Sequence, residues 1–261
     1  MPEWQRALVT GASSGIGEAF ARELATRRTD LVLVARSADK LKRLAAELRE
    51  RQSVGVDVLS ADLTTDAGCQ SVCDRLEADD QPIDLLINNA GMGASGAFGE
   101  IPRSREVQLV QLNVSALVQL AHAAVTAMKP RRRGGVVNVS SLSGFQPYPY
   151  GATYGASKAF VNSFSKALHT ELAGHGVKVL ALCPGFTRTS FQRSAGIGRT
   201  PIPEWLWLQP QEVALAGLSA LQTGRSVRVV GGAFRAWALL TKVIPEAPLR
   251  RALAIGGRRR S

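Results

Sequence analysis

Cysteine is scarce in this chain, three in 261 residues, which excludes a disulfide framework and fits a reducing cytoplasm. Cys69 and Cys73 stand four apart on a predicted helix without a Cys or His neighbour to complete a ligand set. Packing, not metal binding, is expected of them. No apolar run approaches the ~18 residues of a membrane span, so no spanning helix is expected. The opening MPEWQRALVTG goes directly into a strand-like run, so no secretory leader is expected. There is no internal repeat of roughly 20–50 residues.

Acidic residues are short as well, 21 against 32 Lys and Arg, for a net charge of +11. The excess gathers in KPRRR at 129–133 and in a basic tail at 246–261, where Arg250, Arg251, Arg258, Arg259 and Arg260 occur with no acid after Glu246. Such clusters suit nucleic acid, an anionic membrane surface or plain solubility. Basic repeats interleaved with aromatics and zinc-ligand spacings are both missing, so nucleic acid is not an expected partner. Contact with a membrane surface through the tail stays open, and the expected location is the cytoplasm.

Apolar residues make up 45% of the chain, ample for one large domain over 1–261 with no linker. Short Val/Leu/Ile runs fall at 6–11, 31–35, 54–62, 84–88, 136–140, 177–183 and 226–232. Segments with helical spacing separate them at 15–28, 38–51, 65–79, 101–128, 153–175 and 211–221. Nearly continuous apolar runs mark strands buried on both faces. Their alternation with helices predicts an α/β fold, a doubly wound parallel sheet of about seven strands.

TGASSGIG follows the first strand and opens a helix, with Gly11, Gly15 and Gly17 in it. Small residues there let a backbone approach a pyrophosphate at a helix N-terminus. At the end of the second strand, where a carboxylate would read a ribose 2′-hydroxyl, the chain has Ala35 and then Arg36. A guanidinium binds a 2′-phosphate that a carboxylate would repel, so NADP(H) is favoured over NAD(H). Asp62 ends the third strand and either accepts from an adenine amine or caps the next helix. Strand four ends in NNAG at 88–91, where Ala90 and Gly91 leave room for a flat ring. Asn113, amid apolar neighbours within a long helix, is either a satisfied core amide or a kink. Tyr154 and Lys158 are four apart and share a helix face. An ammonium near a phenol favours the phenolate, which predicts a lowered Tyr154 pKa. Ser141, closing strand five, presents a hydroxyl to the same space.

TGASSGIG, NNAG, Asn113, Ser141 thirteen residues before Tyr154, the Tyr154/Lys158 pair and the Pro184-Gly185 step stand in one order. In this combination, from about residue 5 to 232, the chain resembles the short-chain dehydrogenase/reductase family. The resemblance implies an oxidoreductase with Tyr154 as general acid, Lys158 lowering its pKa and holding ribose hydroxyls, Ser141 polarising the carbonyl, and Asn113 holding a water. It also implies a cofactor lined by Gly11, Ser13, Ser14, Gly15, Ile16, Gly17, Arg36, Asp62, Leu63, Asn89, Ala90, Gly91, Pro184, Gly185, Thr187 and Thr189, with Tyr154 and Lys158. A homo-oligomer built on the helices of Asn113 and Tyr154 is implied too. The competing reading, a cofactor-binding regulator without catalysis, is disfavoured by the complete set of Ser141, Tyr154, Lys158 and Asn113.

The segment 186–209 is expected to form a substrate lid. Phe145, Tyr148, Tyr150, Phe186, Phe191, Trp205 and Trp207 are expected to wall a pocket for a lipophilic ketone or aldehyde, since none is charged. Beyond Gly232 the chain mixes apolar and basic residues, expected as a docked tail helix with a solvated basic end.

Overall fold

The computed structural model describes residues 3–196 and 202–241, so the basic tail at 246–261 and part of the expected lid lie outside the described residues. Seven strands form one parallel sheet: β1 (Arg6–Thr10), β2 (Asp30–Ala35), β3 (Val56–Ser60), β4 (Leu85–Asn88), β5 (Gly134–Val139), β6 (Val177–Cys183) and β7 (Val227–Val229). Their order is β3-β2-β1-β4-β5-β6-β7, with Ala7 level with both Leu31 and Leu85. This is the doubly wound sheet that the alternating runs predict. The order reverses between β1 and β4, so the carboxyl ends of those strands open a crevice.

Side chains of successive strand residues point to opposite faces, and helices cover both. Ala7 and Val9 join one core layer with α1 (Gly15–Thr26), α2 (Ala38–Gln52) and α8 (Pro210–Gln222). Leu8, Val32 and Val136 join the other with α3 (Asp66–Glu77) and α5 (Leu117–Met128). Cys69 and Cys73 are buried in that second layer and burial pushes both thiols up, in keeping with packing.

The long helical period at 101–128 is one continuous rod with a changed pitch in its middle. α4 (Arg103–Val110) passes through a π-helical stretch, Gln111–Ala116, into α5. By length and composition alone the rod, Arg103–Met128, is apolar enough to cross a membrane, although no uninterrupted apolar run in it is that long. Here it packs on the sheet, with 44% of its most apolar window buried inside the protein. The wider turns of a π stretch release carbonyls from the helical ladder. Asn88, at the end of β4, donates its amide to the carbonyl of Leu117 at 3.0 Å.

The KPRRR cluster has a structural use. Asp84 is nearly buried and draws Arg131 and Arg133, each at 3.3 Å, while also accepting from the Gln5 backbone N–H at 2.9 Å. Arg131 further donates to the Ile83 carbonyl at 2.7 Å, and Arg132 to the Gly174 carbonyl at 3.0 Å. These bonds tie the amino ends of β1, β4 and β5 together at the sheet end opposite the crevice. Replacing Asp84 by Ala strands the Gln5 N–H and removes the carboxylate that both guanidiniums share. Chemical denaturation of Asp84→Ala should show a loss of about 2–3 kcal/mol, whereas no loss would make the cluster a merely solvated charge run.

Candidate active site

The carboxyl ends of six strands deliver their loops to one cleft of about 1920 Å³. The loop after β1 brings Gly11, Ser13, Ser14, Gly15 and Ile16; β2 brings Arg36; β3 brings Asp62 and Leu63; β4 brings Asn89, Ala90 and Gly91. Ser141, Tyr154, Lys158, Pro184, Gly185, Thr187 and Thr189 line it as well. Gly17 and Asn113, the remaining two of the sequence-derived set, are buried behind that surface.

The loop after β1 is shaped by its glycines. Gly11 and Gly15 have φ of +66° and +60°, which side chains with a Cβ rarely adopt. A Cβ on Gly17 would lie 2.4 Å from the Gly11 carbonyl, so only glycine lets α1 begin this close to the loop. Ser14 holds the N-cap position of α1 without capping it through its side chain. The NNAG segment is fixed against this loop. Thr10 Oγ1 accepts from the N–H groups of Asn89 and Ala90 at 3.0 and 2.9 Å, and the Asn89 amide donates to the Thr10 carbonyl at 2.9 Å. Glycine cradle, helix N-terminus and open floor fit a dinucleotide.

Arg36 is exposed at the cleft edge beside Ser37 and Lys40, and Ala35 leaves no acid there. Asp62 does not cap α3; Thr65 does, accepting from Gly68 N–H at 3.1 Å. Asp62 closes a turn, accepting from the backbone and hydroxyl of Thr64 at 3.0 and 2.8 Å. The Thr64 N–H, more than any other group, holds its carboxyl below the usual range.

α6 (Ala152–Glu171) carries Tyr154 and Lys158. Lys158 is 5% exposed; its Nζ donates to the Val139 carbonyl at the end of β5 at 2.9 Å. Ser140 Oγ donates back to the Lys158 carbonyl at 2.9 Å, so helix and strand are bonded both ways. Burial pulls the ammonium down to about 8. The Lys158 Nζ stands 5.8 Å from the centre of the Tyr154 ring. The sequence expectation of a lowered Tyr154 pKa needs correction. Burial pushes the phenol up to about 12, the Ser141 hydroxyl pulls back, Tyr148 adds to the rise, and the Ser143 hydroxyl opposes it. Spacing places the lysine on the right face but does not reveal what else packs around the phenol.

Of the two readings its sequence context allows, Asn113 is the satisfied core amide. It is 1% exposed and satisfied, accepting from Met92 N–H and donating to the Met92 carbonyl, both at 2.9 Å, and to Ser157 Oγ at 3.2 Å. It also sits in the π-helical stretch. A Cβ on Gly91 would lie 3.2 Å from Asn113 Oδ1 and 3.7 Å from Lys158 Nζ, so glycine keeps the space between them open.

Of the expected aromatic wall, Tyr148, Phe186, Phe191, Trp205 and Trp207 line the cleft. The Phe191 ring is 5.7 Å from that of Tyr154, and Phe186 is 6.0 Å from Trp207. Phe145 and Tyr150 are not among the lining residues. Tyr150 takes φ +62° and its carbonyl accepts from Gly96 N–H at 2.9 Å, a turn whose direction composition does not reveal. Sequence reasoning missed Ala233, Phe234 and Trp237, which α9 (Gly232–Leu240) adds to the cleft. It also missed Arg105 on α4, so the wall is not wholly uncharged.

The model of the family described as short chain dehydrogenase matches residues 5–199. Among solved structures, a short-chain dehydrogenase from Sphingobium yanoikuyae in complex with NADPH is 39% identical, covers 93% of this chain and 97% of its own, and superposes with a TM-score of 0.83. A bulky-bulky ketone specific alcohol dehydrogenase from Comamonas testosteroni is 35% identical with a TM-score of 0.78, covering 93% and 96%. Hydroxysteroid dehydrogenase-like protein 1 of Gallus gallus is 35% identical over 68% of this chain, which spans 54% of that protein's length.

The buried ammonium of Lys158 has a consequence for stability. Its folded pKa of about 8 lies below the ordinary 10.5, so between those values the unfolded lysine holds a proton that the folded one has released. Stability then rises with pH across that window. A Lys158→Met variant lacks the effect and should be the more stable protein at pH 7. Its advantage over the parent should shrink by about 2 kcal/mol between pH 7 and 9.5. A difference independent of pH, measured by denaturant titration, would give the lysine its ordinary pKa.

Proposed function

The chain belongs to the short chain dehydrogenase family, and from that premise we propose that it is an NADP(H)-dependent oxidoreductase interconverting a lipophilic ketone or aldehyde with its alcohol. One observation carries the choice of substrate class. The Tyr154 phenol faces a wall of aromatic rings from Tyr148 and Phe191, continued by Phe186 and Trp207. Such a wall rewards buried apolar area at roughly 25 cal/mol per Å² and offers little to a small hydrophilic carbonyl. The bulky-ketone specificity in the name of the Comamonas testosteroni relative supports the same class.

The cofactor, when bound, supplies or accepts hydride at its nicotinamide. The chain supplies the rest. Tyr154, protonated at neutral pH and pushed further up by burial, is an acid positioned to give its proton to the carbonyl oxygen in reduction. Ser141 offers a hydroxyl to the same oxygen. Its Oγ accepts from Ser143 N–H at 3.2 Å, which orients it. Lys158 contributes positive charge and would hold the ribose hydroxyls of a bound cofactor, and the space at Gly91 between Lys158 and Asn113 suits a water that refills the proton. Arg36, with Lys40 close by in the chain, would hold the 2′-phosphate of a bound cofactor.

A second copy of the chain is the proposed partner. Val107 and Val110 on α4 are 62% and 43% exposed, and Phe160 on α6, stacked on Phe164 at 5.6 Å, is 39% exposed. An apolar patch on these two helices suits an isologous contact. The three free cysteines, all buried, accord with a reducing cytoplasm as the place of action.

Two measurements test the reading. Dissociation constants for NADPH and NADH should favour NADPH, and Arg36→Ala should erase most of that preference, about 10-fold or more for a charge-assisted contact; unchanged NADPH affinity would remove Arg36 from the role. Along a homologous series of alkyl ketones, kcat/KM with NADPH should rise with chain length and flatten in Trp205→Ala. A preference for short, hydrophilic carbonyls would overturn the substrate class.

A further inference from the structure

The cleft has a wall that lies beyond residue 199, where the family match ends. α9 follows β7 through Gly231, whose φ of +94° turns the chain back over the sheet's carboxyl end. Phe234 pins the start of this helix. It is 6% exposed, and a Cβ on Gly185 would lie 2.1 Å from its ring, so glycine at 185 is what lets the ring seat against the turn after β6. Its ring also meets Phe186 edge-on at 5.9 Å. With Phe234 fixed, Trp237 three residues on faces the cleft.

Trp237 is tethered there. Its indole Nε1 donates to Gln146 Oε1 at 2.7 Å. Gln146 ends the short 3-10 turn Leu142–Phe145, which begins directly after Ser141. The tail helix and the serine turn are thus bonded across the side of the cleft on which Ser141 stands. A half-buried indole without such a bond samples several rotamers and gives way to a ligand. One held through its N–H is a fixed obstacle.

We infer that Trp237, held in place by Gln146, sets the size limit for the substituent that a bound ketone directs toward the serine turn. Trp237 is the specificity-determining residue and Gln146 the positioning residue. This rests on the ketone reduction proposed above. A fixed ring at a pocket wall excludes by steric cost, and differences of one or a few carbons in such a pocket translate to roughly 10–200-fold in kcat/KM.

The test uses the full chain with NADPH and three aryl ketones of rising bulk: acetophenone, butyrophenone and benzophenone. In Trp237→Ala the ratio of kcat/KM for benzophenone over acetophenone should rise roughly 10-fold or more. Phe234 and Ala238, not Trp237, are the buried anchors of α9, so this variant keeps the fold. Gln146→Leu should raise the ratio part of the way, and Gln146→Glu, which keeps an acceptor oxygen, should restore it. An unchanged ratio in Trp237→Ala overturns the inference, and an unchanged ratio in Gln146→Leu alone overturns the tether. Should the parent protein reduce none of the three, the proposed reaction fails instead. The size limit is then read from calorimetric binding of the same ketones to the NADPH complex. There the benzophenone affinity should increase in Trp237→Ala, and an unaltered affinity contradicts the inference.

Discussion

The buried ammonium of Lys158 is the charge around which this site is built. A cation at 5% exposure is costly unless its protons are taken up, and here one goes to the Val139 carbonyl, the last of β5. Past Val139 the chain keeps alongside β6, with Ser140 N–H donating to the Leu182 carbonyl at 2.7 Å. Ser140 then bonds the Lys158 carbonyl, fixing the helix to the strand from the other direction. With α6 seated in this way, Tyr154 one turn earlier is set beside Ser141 and against Phe191. The charge, the phenol and the serine are positioned by one helix–strand junction. What the junction provides electrostatically is a protonated phenol beside a lysine whose proton is loosely held, an arrangement suited to proton transfer.

The second constraint is the close approach of backbone at the crevice between β1 and β4. Thr10 gathers the Asn89 and Ala90 N–H groups, and Gly11 and Gly17 remove the Cβ atoms that would hold the two loops apart. Asn113 continues this ordering on the other side. By bonding both the N–H and the carbonyl of Met92, it ties the π-helical stretch to the loop leaving β4. The π turn is the local irregularity that lets a buried amide point out of a helix flank without leaving its polar atoms bare.

Much of this was legible in the residue order. Strands buried on both faces read as apolar runs because every position must be apolar; Ala7, Leu8 and Val9 alternate between two cores, yet none is polar. Ser141, Tyr154 and Lys158 could be named as candidate residues because they stand in the order of motifs that resembles the family, Ser141 just after a strand and the other two on the next helix. What spacing omits is environment. Tyr154 reads as a phenol beside a cation, whereas the fold also packs it against the Tyr148 and Phe191 rings and raises its pKa by burial. KPRRR reads as solvated charge because its carboxylate, Asp84, lies some 45 positions back in the chain and is buried by folding. Trp237 lies in no motif. Its only signal was Phe234 and Trp237 at helical spacing after Gly231-Gly232, a pattern that any packed helix shares.

The central claim is that the Tyr154 hydroxyl is the proton donor in a site otherwise complete for hydride transfer to a ketone. Single-turnover oxidation of bound NADPH, followed after mixing with an accepted ketone, reads that step directly. Tyr154→Phe removes one oxygen and leaves the ring against Phe191. It should bind NADPH as the parent does and oxidise it roughly 10²–10⁴-fold more slowly. Oxidation at the parental rate with intact binding would assign the proton to another group and contradict the account.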